Sequence, residues 1–173
     1  WIQRPILILS GSFDCLNIPN WILNFLKEKF LINEKNTLKK FPNKFYIDRK
    51  DAKSNHNSLR KIINEEEVKT FLKDKGYTSV ILSDLNFVDQ VNLFHNATNI
   101  IGLHGAGFSN LVFCKSNISV IEIKSNTAGY MYKNLSKKMD LNYSDISINP
   151  LKYSSNNQQG LIDVPLNLLK KII

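Results

Sequence analysis

With 173 residues, 43% of them hydrophobic and 22% charged, the chain has the composition of an ordered globular protein, which excludes intrinsic disorder. A chain of this length buries roughly two thirds of its unfolded surface, enough for one self-sufficient core, and it holds no apolar run long enough to cross a membrane. The net charge of +8 comes from 23 Lys+Arg against 15 Asp+Glu, but its lysines are scattered through an Asn- and Ile-rich sequence. That bias fits AT-rich coding better than a phosphate-binding stripe, so no nucleic-acid partner is expected.

In chain order, residues 6–9 (ILIL) read as a buried strand closed by Ser10-Gly11-Ser12. After Pro19-Asn20, the residues Ile22, Phe25, Leu26 and Phe30 share one helical face. Residues 44–48 (KFYID) predict the next strand. Asn64 then opens a helix with Val68, Phe71 and Leu72 inward, closed at Gly76. Asn64 and Glu67 have capping-box spacing, and Glu65 to Glu67 suit the helix dipole.

Residues 79–82 (SVIL) predict a strand, followed by a helix from Asn86 with Phe87, Val91 and Phe94 at helical spacing, where Asn86 and Asp89 repeat the cap arrangement of Asn64 and Glu67. Residues 99–103 and 119–123 (SVIEI) are two more strands, separated by the turn His104-Gly105-Ala106-Gly107 and a short helix. Tyr132, Leu135 and Met139 mark another helix, and residues 143–148 a last strand. Residues 149–162 read as polar loop, and Leu166, Leu169 and Ile173 as one face of a closing helix.

This alternation predicts an α/β fold: one Rossmann-like parallel sheet with helices on both faces, over residues 1–173, without repeat or linker. The sequence starts at Trp1 with neither an initiator methionine nor a cationic-then-apolar signal segment, so a piece of a longer protein is expected. Cys15 and Cys114 are too few for a disulfide framework, and no CxxC or Cys/His cluster points to zinc.

Parallel sheets of this kind bind ligands at the carboxyl ends of their strands. That rule selects three places: the segment after Asp48, the turn after Leu103, and the end of strand 119–123. In the turn 102–110, glycines permit close backbone approach, and free N–H groups at a helix start favour an anion such as a diphosphate. His104 adds a side chain able to donate to a phosphoryl oxygen or to act as acid or base; capping the sheet edge is its plainer role. Arg49 and Arg60 offer guanidinium forks suited to phosphate, although two exposed loop arginines would read the same.

Gln90 can face either solvent or the cleft. Glu122, a carboxylate inside an apolar strand, needs a partner: ribose hydroxyls, a local lysine or backbone. Asp48 and Asp51 flank Arg49 and invite an ion pair. No Asp-x-Asp, GxxxxGK[ST] or GxSxG motif is present, so a metal-chelated nucleotide, a P-loop NTPase and a serine hydrolase are not indicated. The absence of GxGxxG after the first strand weighs against a dinucleotide-dependent oxidoreductase.

Taken together, FYIDRKDA…LRKIINEEEV, KGYTSVILSDLNFVDQVNLFHNA and IIGLHGAGFSNLVFCKSNISVIEI resemble glycosyltransferase family 61, closely over residues 40–125. That family includes capsular-polysaccharide enzymes, xylan glycosyltransferases and a transferase acting on EGF domains. Arg49, Arg60-x-x-x-Asn64-Glu65, Phe87-x-x-Gln90, His104-Gly105-Ala106 with Asn110, and Glu122 carry the resemblance in order. Two departures stand out: residues 54–58 lengthen the spacing between the arginines, and Phe108-Ser109 replaces the usual leucine-threonine.

The resemblance implies an inverting, metal-independent transferase of the GT-B type, built from two Rossmann-like lobes, of which this chain is the C-terminal, donor-binding one. It assigns nucleotide-sugar binding to Arg49, Arg60, Asn64, Glu65, Gln90, His104, Gly105, Ala106, Gly107, Asn110 and Glu122, with His104 and Arg49 also serving the chemistry. The expected donor is a UDP-linked sugar used as substrate, with no cofactor. The expected partners are a saccharide acceptor in capsular or surface polysaccharide synthesis and the missing N-terminal lobe. The general base is not identified; His104, Asp51 or that lobe would supply it. A non-catalytic nucleotide-binding or scaffold lobe is the alternative. Four Asn-x-Ser/Thr sequons, at Asn96, Asn117, Asn134 and Asn142, carry little weight in so Asn-rich a chain. A cytoplasmic location, peripheral to the inner membrane of a bacterium, is expected.

Overall fold

The computed structural model describes residues 17–31, 39–50, 60–153 and 160–173. Its centre is a five-stranded, all-parallel sheet of β1 (Lys44–Asp48), β3 (Thr78–Ile81), β4 (Asn99–Leu103), β5 (Ser119–Ser125) and β6 (Asn142–Ile148). Across the sheet the order is β3-β1-β4-β5-β6. A smaller sheet has the order β2-β8-β7, where β2 is Arg60–Ile62, β7 Lys152–Tyr153 and β8 Gly160–Ile162. The predicted strand at residues 6–9 lies outside the described residues.

Period-two alternation sorts the side chains of the central strands onto two faces. Phe45, Ile47, Ile100 and Val120 point into one core, covered by α1 (Asn20–Phe30), α3 (Phe87–His95), the 3-10 helix Ala106–Phe113 and α4 (Met131–Lys138). Tyr46, Ile101, Leu103, Ile121, Ile123 and Ile146 point into the other, covered by α2 (Glu65–Asp74) and α5 (Leu166–Ile172). Ile62 and Ile162 of the small sheet extend this second core. The Rossmann-like α/β arrangement read from the sequence is therefore present. No helix among the described residues is long and apolar enough to cross a membrane.

Several local expectations change. Residues 149–162 are not all loop: β8 pairs in parallel with β2 and antiparallel with β7. Arg60 opens a strand rather than standing in a loop. In α1 the buried residue is Leu23, while Phe25 and Phe30 are exposed, as is Phe87 at the start of α3. The last two belong to an edge-to-face aromatic group with Phe113. Asn86 caps α3 as its spacing predicts, accepting from the Asp89 N–H at 2.9 Å. Asn64 occupies the cap position of α2 but makes no capping hydrogen bond.

The topology itself selects a site. Numbered in order of appearance, the five strands run 2-1-3-4-5, the doubly wound order whose connections diverge on either side of the first and third strands. Here that switch point is the gap between β1 and β4, and a crevice forms beyond their carboxyl ends.

Candidate functional site

Two adjoining cavities occupy that crevice. One, of about 370 Å³, lies against Ile47, Arg49, Leu82, Phe108, Asn110 and the Gly105–Gly107 turn. The other, of about 800 Å³, lies against Arg49, Lys50, Arg60 and the first turn of α2. Asp48, Arg49 and Leu103 line both, so Arg49 stands at their junction. In the smaller cavity part of the wall is set by glycine: a Cβ on Gly107 would come within 2.9 Å of Leu82 Cδ1 and 3.2 Å of Ile47 Cγ2. Gly105 has extended backbone (φ 168°) open to any residue, and a Cβ there would face the Arg49 guanidinium at 3.5 Å.

The two arginines converge although they come from different sheets. Arg49 Nη1 donates to the carbonyl oxygen of His104 at 3.4 Å, and Arg60 Nη1 donates to the same oxygen at 3.1 Å. Two guanidiniums on one carbonyl form a concentrated positive charge. Burial, and then Arg49 itself, push the Arg60 pKa below its ordinary value. Arg60 Nε is buried and has no hydrogen-bond partner among the described residues. An orphaned cationic donor beside a second arginine is what an anion site requires before its ligand arrives.

Neighbouring carboxylates are engaged elsewhere. Asp48 takes the Lys50 N–H on Oδ1 at 2.9 Å and the Lys69 ammonium on Oδ2 at 2.9 Å, so its ion pair is with α2 and not with Arg49 as the sequence suggested. Burial opposes the charge on Lys69, but Asp48 and the glutamates of α2 outweigh it and raise its pKa. Glu65 accepts from the Tyr46 hydroxyl at 2.8 Å. Burial, followed by the Glu65 charge, holds that phenol well above its usual pKa, so it remains a donor. Asp51 lies outside the described residues.

Behind the turn is a buried carboxylate. Glu122 has no exposed surface; its Oε1 meets His104 Nδ1 and its Oε2 accepts from the Tyr143 hydroxyl. A carboxylate in such a place is tolerable only when paired and hydrogen-bonded. Because it already accepts from Tyr143, the histidine proton facing it sits on Nδ1. His104 is 4% exposed, and its ring packs against the Tyr132 ring at 5.2 Å. What His104 offers to the two arginines is therefore its backbone carbonyl.

Gln90 and Asn110 form a bracket. The Gln90 amide donates to the Leu82 and Leu85 carbonyls at 2.9 and 3.1 Å and accepts from Asn110 at 3.1 Å, tying α3 to the 3-10 helix. Asn64 is likewise committed to protein: its amide donates to the Val164 carbonyl and accepts from the Val164 N–H, both at 2.9 Å. The structure thus gathers Arg49, Arg60, His104 and the Gly105–Gly107 turn around the crevice, with Glu65 on the far wall. Gln90 and Asn110 line the smaller cavity and Asn64 the larger, while Glu122 sits behind that surface. Tyr143, Tyr46 and Lys69 complete the arrangement without having been singled out by the sequence. Only the need of a buried Glu122 for a partner hinted at one of them. Among the described residues, no group of three His, Cys, Asp or Glu side chains is placed to hold a metal.

A family model described as Glycosyltransferase 61 matches residues 1–121, more than half of the chain. The chain belongs to the glycosyltransferase 61 family. It is similar to the EGF domain-specific O-linked N-acetylglucosamine transferases of Mus musculus and Canis lupus familiaris, each 32% identical over 89 residues. The Gallus gallus protein of that name is 30% identical over the same length. Each alignment covers 49% of this chain and 17% of the relative, so the chain matches only a small part of those proteins. All the crevice residues from Arg49 to Asn110 fall inside the span of the glycosyltransferase 61 match.

Proposed function

We propose that this chain is the donor-binding lobe of an inverting GT-B glycosyltransferase and takes the diphosphate of a nucleotide sugar between Arg49, Arg60 and the Gly105–Gly107 turn. The observation that carries this reading is the convergence of both arginines on the His104 carbonyl at the topological switch point. In the transfer, an acceptor hydroxyl attacks the anomeric carbon as its bond to the diphosphate breaks. The electron pair leaves with the nucleoside diphosphate, and the two guanidiniums stabilise that developing charge without a metal ion. The base that takes the acceptor proton comes from outside the described residues, since the His104 ring is buried against Glu122. The other lobe completes the site.

A UDP-linked donor is the first to test. The named relatives transfer N-acetylglucosamine, which makes an N-acetylhexosamine the first sugar to try; the acceptor is a saccharide, as in capsular or surface polysaccharide synthesis, or an EGF domain as in those relatives' name. The burial of His104 favours a second reading, a lobe that binds nucleotide without contributing a proton-transfer group. Calorimetric titration with UDP, GDP, CDP and CMP, with and without EDTA, tests the proposal. Selective diphosphate binding that survives EDTA and is lost in Arg49→Ala is expected. Equal binding of CMP and the diphosphates, or wild-type affinity in Arg49→Ala, would remove the diphosphate from the crevice.

A further inference from the structure

His104 is held at once through its backbone N–H, its carbonyl and its ring Nδ1. Its N–H donates to the Ile123 carbonyl at 2.8 Å, extending the β4–β5 ladder by one residue. Its ring is fixed by Glu122, and its carbonyl receives both arginines. Glu122 is fixed in turn by Tyr143, which reaches it from β6, on the far side of β5 from the crevice. A chain of contacts therefore crosses the sheet from β6 through β5 and the end of β4 to the arginines beyond β1 and on β2.

We propose that Tyr143 is a positioning residue for the anion site, acting through Glu122 on the tautomer and orientation of His104 and so on the carbonyl that gathers Arg49 and Arg60. This rests on the nucleotide reading given above for what the site binds, but the relay itself requires no ligand.

Three observations support it. Glu122 is wholly buried, so no water replaces a lost donor without a rearrangement. Burial, and then Glu122 itself, hold the Tyr143 phenol far above its usual pKa, so it stays a donor throughout the physiological range. Finally, the His104 ring is in contact both with Glu122, through Nδ1, and with the Tyr132 ring, so a change of its orientation would disturb two contacts at once. A histidine whose second nitrogen is committed by a carboxylate is oriented by that carboxylate, and partners behind such a pair tune what the front surface does.

The test uses the full chain and Tyr143→Phe, which keeps the ring that packs on the first core and removes only the hydroxyl. Leu169→Ala, in the second core and lining neither cavity, serves as a comparison of structural loss. Two quantities are read: the imidazole nitrogen and Nδ1-proton resonances of His104 without ligand, and the affinity for UDP. In Tyr143→Phe the His104 resonances shift and UDP binding weakens about five- to tenfold, the scale of one charged hydrogen bond felt through an intermediary. Leu169→Ala melts at lower temperature with both quantities unchanged. Unmoved His104 resonances in Tyr143→Phe overturn the relay, whatever happens to its melting temperature. If the wild type binds no nucleoside diphosphate, the nucleotide reading falls, and the relay is decided by the resonances alone.

Discussion

Asn64 and Val164, one hundred residues apart, exchange two hydrogen bonds of 2.9 Å, side-chain amide to backbone in both directions. This pair locks the start of α2 to the segment after β8, alongside the parallel pairing of β2 with β8. It thereby fixes the strand that carries Arg60. Replacement by alanine removes both bonds and leaves the Val164 N–H and carbonyl unmatched, which costs about 2–3 kcal/mol. Urea unfolding of Asn64→Ala measures this loss. Asn64→Asp keeps the acceptor for the Val164 N–H but sets a carboxylate oxygen against the Val164 carbonyl, so it recovers little. A loss below about 0.5 kcal/mol for both variants would mean that water replaces the amide.

Arg60 separates fork geometry from charge. Arg60→Lys keeps the cation but loses the planar donor set and the Nε proton that has no partner among the described residues. Nucleotide affinity should fall about tenfold, equivalent to roughly 1.4 kcal/mol. Arg60→Met removes the like charge from beside Arg49, and unfolding free energy should stay within about 1 kcal/mol of wild type while binding falls further. Calorimetry and urea titration on the same samples check both statements. A large stability loss in Arg60→Met with binding retained would make Arg60 a structural residue.

The contrast between what was legible and what was not follows from range. β1 and β4 have the bounds their apolar runs predict, and Asn86 caps α3 as its spacing requires, because those signals are contained within a few residues. The end of α2 at Gly76, with φ 81°, is equally local. β2 and β8 are three residues each, too short for periodicity, and each exists because the other pairs with it from a hundred residues away. Asn64 carried a genuine capping signature, yet the nearby Val164 backbone captured its amide. Glu122 announced that it needed a partner, but choosing Tyr143 and His104 over a lysine required the strand order. Arg49 and Arg60 were recognisable as phosphate-binding types, whereas their meeting on one carbonyl depends on two sheets coming together.

Gly102 in β4 and Gly105 in the turn after it differ in what they tolerate. An added methyl on Gly102 meets Ile47 Cβ, which sits close to its own backbone and cannot swing away, and also the rim of the Phe108 ring. Gly102→Ala should destabilise the chain by about 1–3 kcal/mol through overpacking between β1 and β4. Gly105→Ala places its methyl at ordinary contact distance from the Arg49 guanidinium, so it should fold as wild type, and it should lose nucleotide affinity because the methyl takes up space in the smaller cavity. Thermal melting and UDP titration of the pair check the order. Equal stability of the two variants would mean that Ile47 and Phe108 repack freely.

Alkaline pH should unfold the protein in two recognisable stages. Burial raises the pKa values of the Cys114 thiol and of the Tyr46, Tyr132 and Tyr143 phenols; carboxylates push Tyr46 and Tyr143 higher still. A raised folded pKa means that the native state keeps a proton which the unfolded chain has released, so the stabilisation is complete below the unfolded pKa and is lost as pH rises above it. For the thiol that loss starts near pH 8.5, and for the phenols near pH 10, their unfolded values. The urea midpoint should therefore be level through neutral pH, decline gently from about pH 8.5 and steeply beyond about pH 10. Cys114→Ala, although less stable throughout, should remove the early decline, and Tyr143→Phe should reduce the steepness of the later one. Absorbance at the phenolate band provides the check: these tyrosines should ionise together with unfolding, and smooth titration of all of them in the folded chain near pH 10 would contradict the carboxylate hydrogen bonds of Tyr46 and Tyr143.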